Sequence, residues 1–194
     1  MGKIDSSTLD KAIIFATKAH ANVERRGKQF PYIVHPLEVV AIVSTLTSDQ
    51  ELLAAAALHD TVEDTSTTIE DIRREFGNRV ARIVESESDI YDPNLTAEQS
   101  WRARKQAAIE RLKNAPIDVK MVALGDKLSN MRAIYRDFIS IGDSLWNLFH
   151  ESDPKEHEWH YRGLADSLNE LADTPAYEEF VSLIDFVFKR AGKK

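Results

Sequence analysis

The sequence predicts an all-α protein, and three observations carry that expectation. Apolar residues recur at helical spacing in one segment after another, as with Leu9, Ile13 and Ala16, or with Val119, Val122 and Ala123. Serine, threonine, aspartate or proline stands where most of these segments begin. No stretch has the alternating period or the β-branched clustering of strands, and nothing repeats at a fixed interval. At 194 residues the chain suits one domain with a real hydrophobic core, a single helical bundle over 1–194. Its polar motifs fall within 26–132, and further helices fill 140–192.

In chain order, Asp5 or Ser6 caps a helix expected to run to about Val23. The stretch ERRGKQFPYI has no helical period and carries Gly27 and Pro31, so it reads as a loop. Proline is favoured at the first helical position, which puts His35, just before Pro36, at the mouth of a helix reaching about Leu46. A histidine placed there suits a metal ligand and equally an ordinary cap. Ser48 or Asp49 caps the next helix, and Thr67 or Thr68 opens another, with Glu70 and Asp71 in its first turn and Gly77 at its end. A short helix from Asn78 leads into ESESDIYDPN, an acidic, turn-prone segment. Glu98 to Lys113 is helical again, with Trp101, Ile109 and Leu112 inward and Arg102, Arg104 and Lys105 opposite. Pro116 starts the helix PIDVKMVALGDKLSNMRAI. Ile141 to His150, Pro154 to Ala172 and Pro175 to Ala191 are three more amphipathic segments, with Trp146, Trp159 and Phe186 expected in the core.

Two of these helices carry chemistry. Seven residues from Leu52 to Leu58 are all apolar, so that helix should be buried on every side. His59, Asp60, Glu63 and Asp64 follow directly, and at about 100° per residue the four converge on one cavity if the helix continues. Three carboxylates and an imidazole at the end of a buried helix call for pairing or a cation. In the later helix, Asp126 interrupts an apolar pattern. A plain ion pair with Lys127 and a ligand role are both open for it. Gly125, just before it, is unfavourable in a helix interior by about 1 kcal/mol relative to alanine, so a close backbone approach is expected there.

Composition narrows the classes. A formal charge of -7 argues against a nonspecific nucleic-acid binder. With no cysteine, any metal must be held by nitrogen and oxygen. No apolar run approaches the ~20 residues needed to cross a bilayer, and the N-terminus lacks the apolar core of a secretion signal, so the chain is expected to be cytoplasmic and free of membrane. The Walker and dinucleotide glycine patterns are absent.

The order H…HD…D, set in HPLEVV, LHDTVEDT and ALGDKLSNMRA, resembles the HD-domain metal-dependent phosphohydrolases. Within them the wording is most similar to the alarmone hydrolases of the bacterial stringent response and their small stand-alone relatives, which act on guanosine tetra- and pentaphosphate. The likeness spans Arg26 to about Arg132, and WRARK and EWHYR look like accessory motifs of the small members.

The resemblance implies that His35, His59, Asp60 and Asp126 bind one divalent metal, Mn2+ in most alarmone hydrolases, and that Glu63 and Asp64 position the attacking water and relay protons. It places Arg26, Lys127 and Asn130 around the nucleotide, with Arg104 and Lys105 toward the distal phosphates and Tyr161 and Arg162 as weaker candidates. The implied reaction removes the 3′-pyrophosphate of guanosine tetraphosphate to give GDP. Implied partners are a guanine nucleotide as substrate and, as an open option, a second copy in a homodimer. Two alternatives stand beside this: an HD hydrolase acting on a deoxynucleotide or nucleoside monophosphate, and a catalytically silent nucleotide-binding protein. One departure bears on substrate. Where alarmone hydrolases carry a Glu-Val-Thr-like segment and a lysine, this chain reads VESESDIYDPN. No synthetase half follows, so synthesis is not expected.

Overall fold

The computed structural model describes residues 5–25, 30–88 and 97–191. Ten α-helices and two 3-10 segments make up the regular structure, and among the described residues the one β feature is an isolated antiparallel bridge between Glu24 and Pro31. The residues group into two compact units. The first holds 1–88 and 121–126, and the second holds 89–120 and 127–194.

In the first unit, α1 (Ser7–Ala19) ends earlier than its sequence suggests, because the chain turns through Asn22, which takes a left-handed backbone at φ 63°. The loop then folds back on itself. Arg25 N donates to Phe30 O at 3.2 Å and Tyr32 N donates to Val23 O at 2.8 Å, which brings Tyr32 beside the end of α1. Arg26 lies outside the described residues, as does 89–94 of the acidic segment.

The second helix, α2 (Val34–Val43), corrects an expectation. It begins before His35, so this histidine is inside the first turn and buried, not at the mouth. Pro36 is tolerated one step further in because the first four helical N–H groups have no partner to lose. Asp49 caps α3 (Gln50–Leu58), accepting from Glu51 N at 2.9 Å, and Arg79 clasps Asp49 and Glu51 at 2.7 and 2.8 Å. All seven residues from Leu52 to Leu58 are buried, as an unbroken apolar run requires.

The helix does not run on through the polar residues. Its hydrogen-bond ladder breaks at His59 and Asp60, and a single turn, α4 (Thr61–Asp64), follows. A capping box formed by Thr68 and Asp71 opens α5 (Ile69–Phe76), and Gly77 at φ 89° separates it from α6 (Asn78–Glu87).

In the second unit, α7 (Ala97–Lys113) packs on α9 (Pro154–Ser167), where a Cβ on Gly163 would come within 2.6 Å of Ile109 Cδ1. α10 (Pro175–Phe188) joins α9 through Tyr177, whose hydroxyl donates to Ala165 O at 3.0 Å. The long α8 (Ile117–Ile141) gives residues 121–126 to the first unit and the rest to the second. Lys120 is buried but satisfied, pairing with Glu170 and donating to Lys113 O.

Three expectations need correction here. Gly142–Leu148 is a 3-10 segment rather than an α-helix, begun at Gly142, where φ is 59°. The α9 helix stops at Ser167 and a 3-10 turn, Asn169–Leu171, completes that stretch. Trp146 is in the core, whereas Trp159 and Phe186 are half-buried, each with an arginine over its ring: Arg102 at 4.2 Å and Arg190 at 3.8 Å.

Candidate metal centre

Four side chains from three helical segments of the first unit converge. His35 Nε2 lies 3.1 Å from Asp126 Oδ1 and 3.4 Å from Asp60 Oδ2. His59 Nε2 lies 3.1 Å from Asp60 Oδ2 and 3.6 Å from Asp126 Oδ1. The two Nε2 atoms are 3.3 Å apart. Donors bonded to one ion at about 2.1 Å stand about 3.0–3.4 Å from one another, so this spacing fits a shared cation. His35, His59 and Asp126 are buried, which removes water as the competing partner for their donor atoms.

Local structure explains each position. His59 caps the C-terminus of the buried helix, and its Nδ1–H donates to Ala56 O at 2.9 Å in that helix. That bond leaves Nε2 as the lone-pair nitrogen of the neutral ring, the arrangement a metal ligand needs. Asp60 precedes α4, yet its carboxylate makes no capping bond to that helix and turns to the imidazoles instead. Asp126 reaches the pair because α8 lies close to α2. A Cβ on Gly125 would fall 2.6 Å from Val43 Cγ2 and 3.3 Å from the Val39 carbonyl oxygen, so only glycine permits the approach.

The electrostatics favour positive charge. Burial would push the His59 imidazolium down, but the carboxylates of Asp60 and Asp126 outweigh it and hold His59 well above its usual range. Burial would raise the Asp60 carboxyl, but His59 and His35 draw it well below the carboxylate range. With three polar helical segments aimed at one point, the cluster can hold a proton or a metal ion.

Tyr32 belongs to the site and was missed in the sequence. Its hydroxyl donates to Asp60 Oδ2 at 2.6 Å, and burial, then Asp60 and Asp64, keep the phenol protonated far beyond its usual range. The signal that could have found it is its place in PYIVHP, three residues before His35.

The other candidates are distributed as follows. Glu63 and Asp64 are exposed on α4, one turn beyond the ligand pair, and Asp64 acts on the Tyr32 hydroxyl. In the second unit, Lys127, Asn130, Arg104 and Lys105 are half-buried. Lys105 and Lys127 share a neighbour in His160, whose imidazole is held well below its usual range by burial and then by these two lysines. Arg104 bonds Ser100 Oγ at 3.2 Å along α7.

Comparisons with known proteins agree with this arrangement. The HD domain family profile matches residues 12–139. A protein of Brucella ovis named GTP pyrophosphokinase rsh is 31% identical over 131 residues, covering 68% of this chain and 17% of that protein. The chain thus spans about a sixth of the length of such long relatives. A zebrafish (Danio rerio) protein named guanosine-3′,5′-bis(diphosphate) 3′-pyrophosphohydrolase MESH1 is 38% identical over 134 residues, covering 68% of this chain and 71% of that protein. In fold, the chain is similar to a solved structure described as a metazoan ortholog of SpoT that hydrolyzes ppGpp, with a TM-score of 0.74 at 23% identity over 95% of this chain and 97% of the other. The matched span begins before the first candidate ligand and ends beyond the last, so the histidines and aspartates that meet here lie inside it, and the chain belongs to the HD domain family.

Proposed function

We propose that this chain is a hydrolase that uses one divalent metal, Mn2+ by preference, to remove the 3′-pyrophosphate from guanosine 3′,5′-bis(diphosphate), giving GDP and pyrophosphate in the cytoplasm. The observation that carries the reading is the meeting of His35, His59, Asp60 and Asp126, with imidazole-to-carboxylate distances of 3.1–3.6 Å. The name of the zebrafish relative supports the choice of substrate.

A divalent ion bound there supplies a Lewis acid for phosphoryl oxygens and a water of lowered pKa. Mixed nitrogen and oxygen donors suit manganese, iron or zinc. His59 enters the reaction with its tautomer set by Ala56. Asp60 is held in place by Tyr32. Glu63 and Asp64, exposed one turn further on, are assigned the proton transfers on the family resemblance and on their exposure to solvent. Roles for Arg26, Lys127, Asn130, Arg104 and Lys105 toward the nucleotide rest on the family resemblance and on the need of an acidic protein for local cations.

The test is a nucleotide panel with Mn2+-loaded protein, following pyrophosphate and phosphate release. Pyrophosphate from the guanosine substrate is expected, and a variant with Glu63→Gln and Asp64→Asn should lose turnover by about 10²-fold or more while keeping its metal. Phosphate from nucleoside monophosphates with none of that pyrophosphate would point to the rival substrate class.

A further inference from the structure

The imidazole of His20 is buried, and neither ring nitrogen has a hydrogen-bond partner. Burying polar atoms without partners is unfavourable, so a purely space-filling role at this position would be met better by phenylalanine. What the ring does touch is Tyr32. The two rings stack with centroids 4.7 Å apart at 25°, and His35 meets the same tyrosine edge-on at 6.1 Å and 86°. Beyond the ring, the tyrosine hydroxyl donates to Asp60 Oδ2 at 2.6 Å. Tyr32 N donates to Val23 O at 2.8 Å, and the Arg25 guanidinium lies over the same ring at 5.6 Å, so His20 and Arg25 are the described residues whose side chains meet the tyrosine from its own loop and the end of α1.

We infer that His20 and Tyr32 form a brace for the metal centre, in which the His20 ring holds Tyr32 flat so that its hydroxyl fixes the carboxylate of Asp60 toward His35 and His59. Both are positioning residues. Oxygens that orient a metal ligand from behind typically change affinity by 10- to 100-fold when removed. The stacked ring acts one step further back, through Tyr32 alone. This inference rests on the metal reading given above.

The experiment measures Mn2+ dissociation constants by calorimetry on the full chain, with thermal unfolding of the metal-free proteins alongside. Tyr32→Phe should weaken Mn2+ binding about tenfold with an unchanged unfolding temperature. His20→Phe keeps a flat ring and should bind Mn2+ within twofold of wild type, with an equal or higher unfolding temperature. His20→Ala removes the ring and should weaken binding, and combining it with Tyr32→Phe should add nothing to Tyr32→Phe alone. Wild-type affinity in Tyr32→Phe, weakened binding in His20→Phe, or additive losses in the double variant would each overturn the brace while leaving the metal site standing. A wild-type chain that binds no Mn2+ would remove the metal reading itself, and the brace with it. Because His20→Phe and Tyr32→Phe conserve ring volume, the question is decided even if His20→Ala does not fold.

Discussion

Burial holds the imidazoles of His20, His157 and His160 below their usual range, so in the folded chain they stay neutral at a pH where a free histidine takes up a proton. For His157 the Glu151 carbonyl, 2.8 Å from Nε2, partly offsets that push. The unfolded chain binds the protons that the folded chain refuses. Their contribution to stability is therefore present above pH 6.5 and is lost as pH falls through the folded values, at up to roughly 1 kcal/mol per pH unit for each histidine. His59 has the opposite sign in the metal-free chain: its stabilisation is present below pH 6.5 and is lost as pH rises through its raised value. In the Mn2+-loaded chain Nε2 of His59 would carry the ion and not a proton, so its stabilisation below pH 6.5 would no longer oppose the loss from the first group. Urea unfolding of loaded protein should show stability nearly level above pH 6.5 and falling from there to pH 5, and a flat profile down to pH 5 would contradict neutral burial of these three rings. None of them was singled out in the sequence, because a lone histidine on an apolar face has no periodic signature. His35, His59, Asp60 and Asp126 could be read because their apolar surroundings made polar side chains conspicuous.

Among the elements, the α2–α8 packing depends on one hydrogen atom. The missing side chain at Gly125 lets α8 approach until Val43 Cγ2 and the Val39 carbonyl occupy the place of a Cβ. Gly125→Ala gains about 1 kcal/mol of helix propensity but must displace a β-branched side chain and a backbone oxygen, and overpacking of this kind costs typically 1–3 kcal/mol. Packing wins, because neither obstacle is the end of a flexible chain. The expected outcome is a net loss of about 1 kcal/mol in denaturant unfolding together with weaker Mn2+ binding, since Asp126 is the next residue. An alanine variant with wild-type affinity would show that α8 can shift without moving the ligand. The sequence announced this contact through a glycine in a helical pattern, and it announced the burial of α3 through seven apolar residues. It misplaced the start of α2 because proline fits several positions of a first turn, and it hid the 3-10 character of Gly142–Leu148 because an apolar pattern does not separate the two helix types over so short a run.

At the scale of the whole molecule, the chain is acidic, with a formal charge of -7, while the proposed substrate is a polyanion, and a divalent cation at the proposed site would reconcile the two. No helix among the described residues is long and apolar enough to cross a membrane. Fold class was legible because helical period recurs along most of the chain, and the family was legible because His35, His59, Asp60 and Asp126 stand in the order and surroundings that resemble it, although identity to the relatives is only 31–38% over the matched 131–134 residues. Tyr32 was not, since its contribution depends on a loop folding back by a few backbone hydrogen bonds that leave no pattern in the residues. The central claim is that one ion joins side chains from α2, from the α3–α4 junction and from α8. The most direct test is the metal content of wild-type and Asp126→Ala chains after equilibrium dialysis against micromolar Mn2+. One ion per wild-type chain and a loss of binding by 100-fold or more in a variant that still unfolds cooperatively is the predicted result, and an Asp126→Ala chain that keeps a full equivalent of Mn2+ would contradict it.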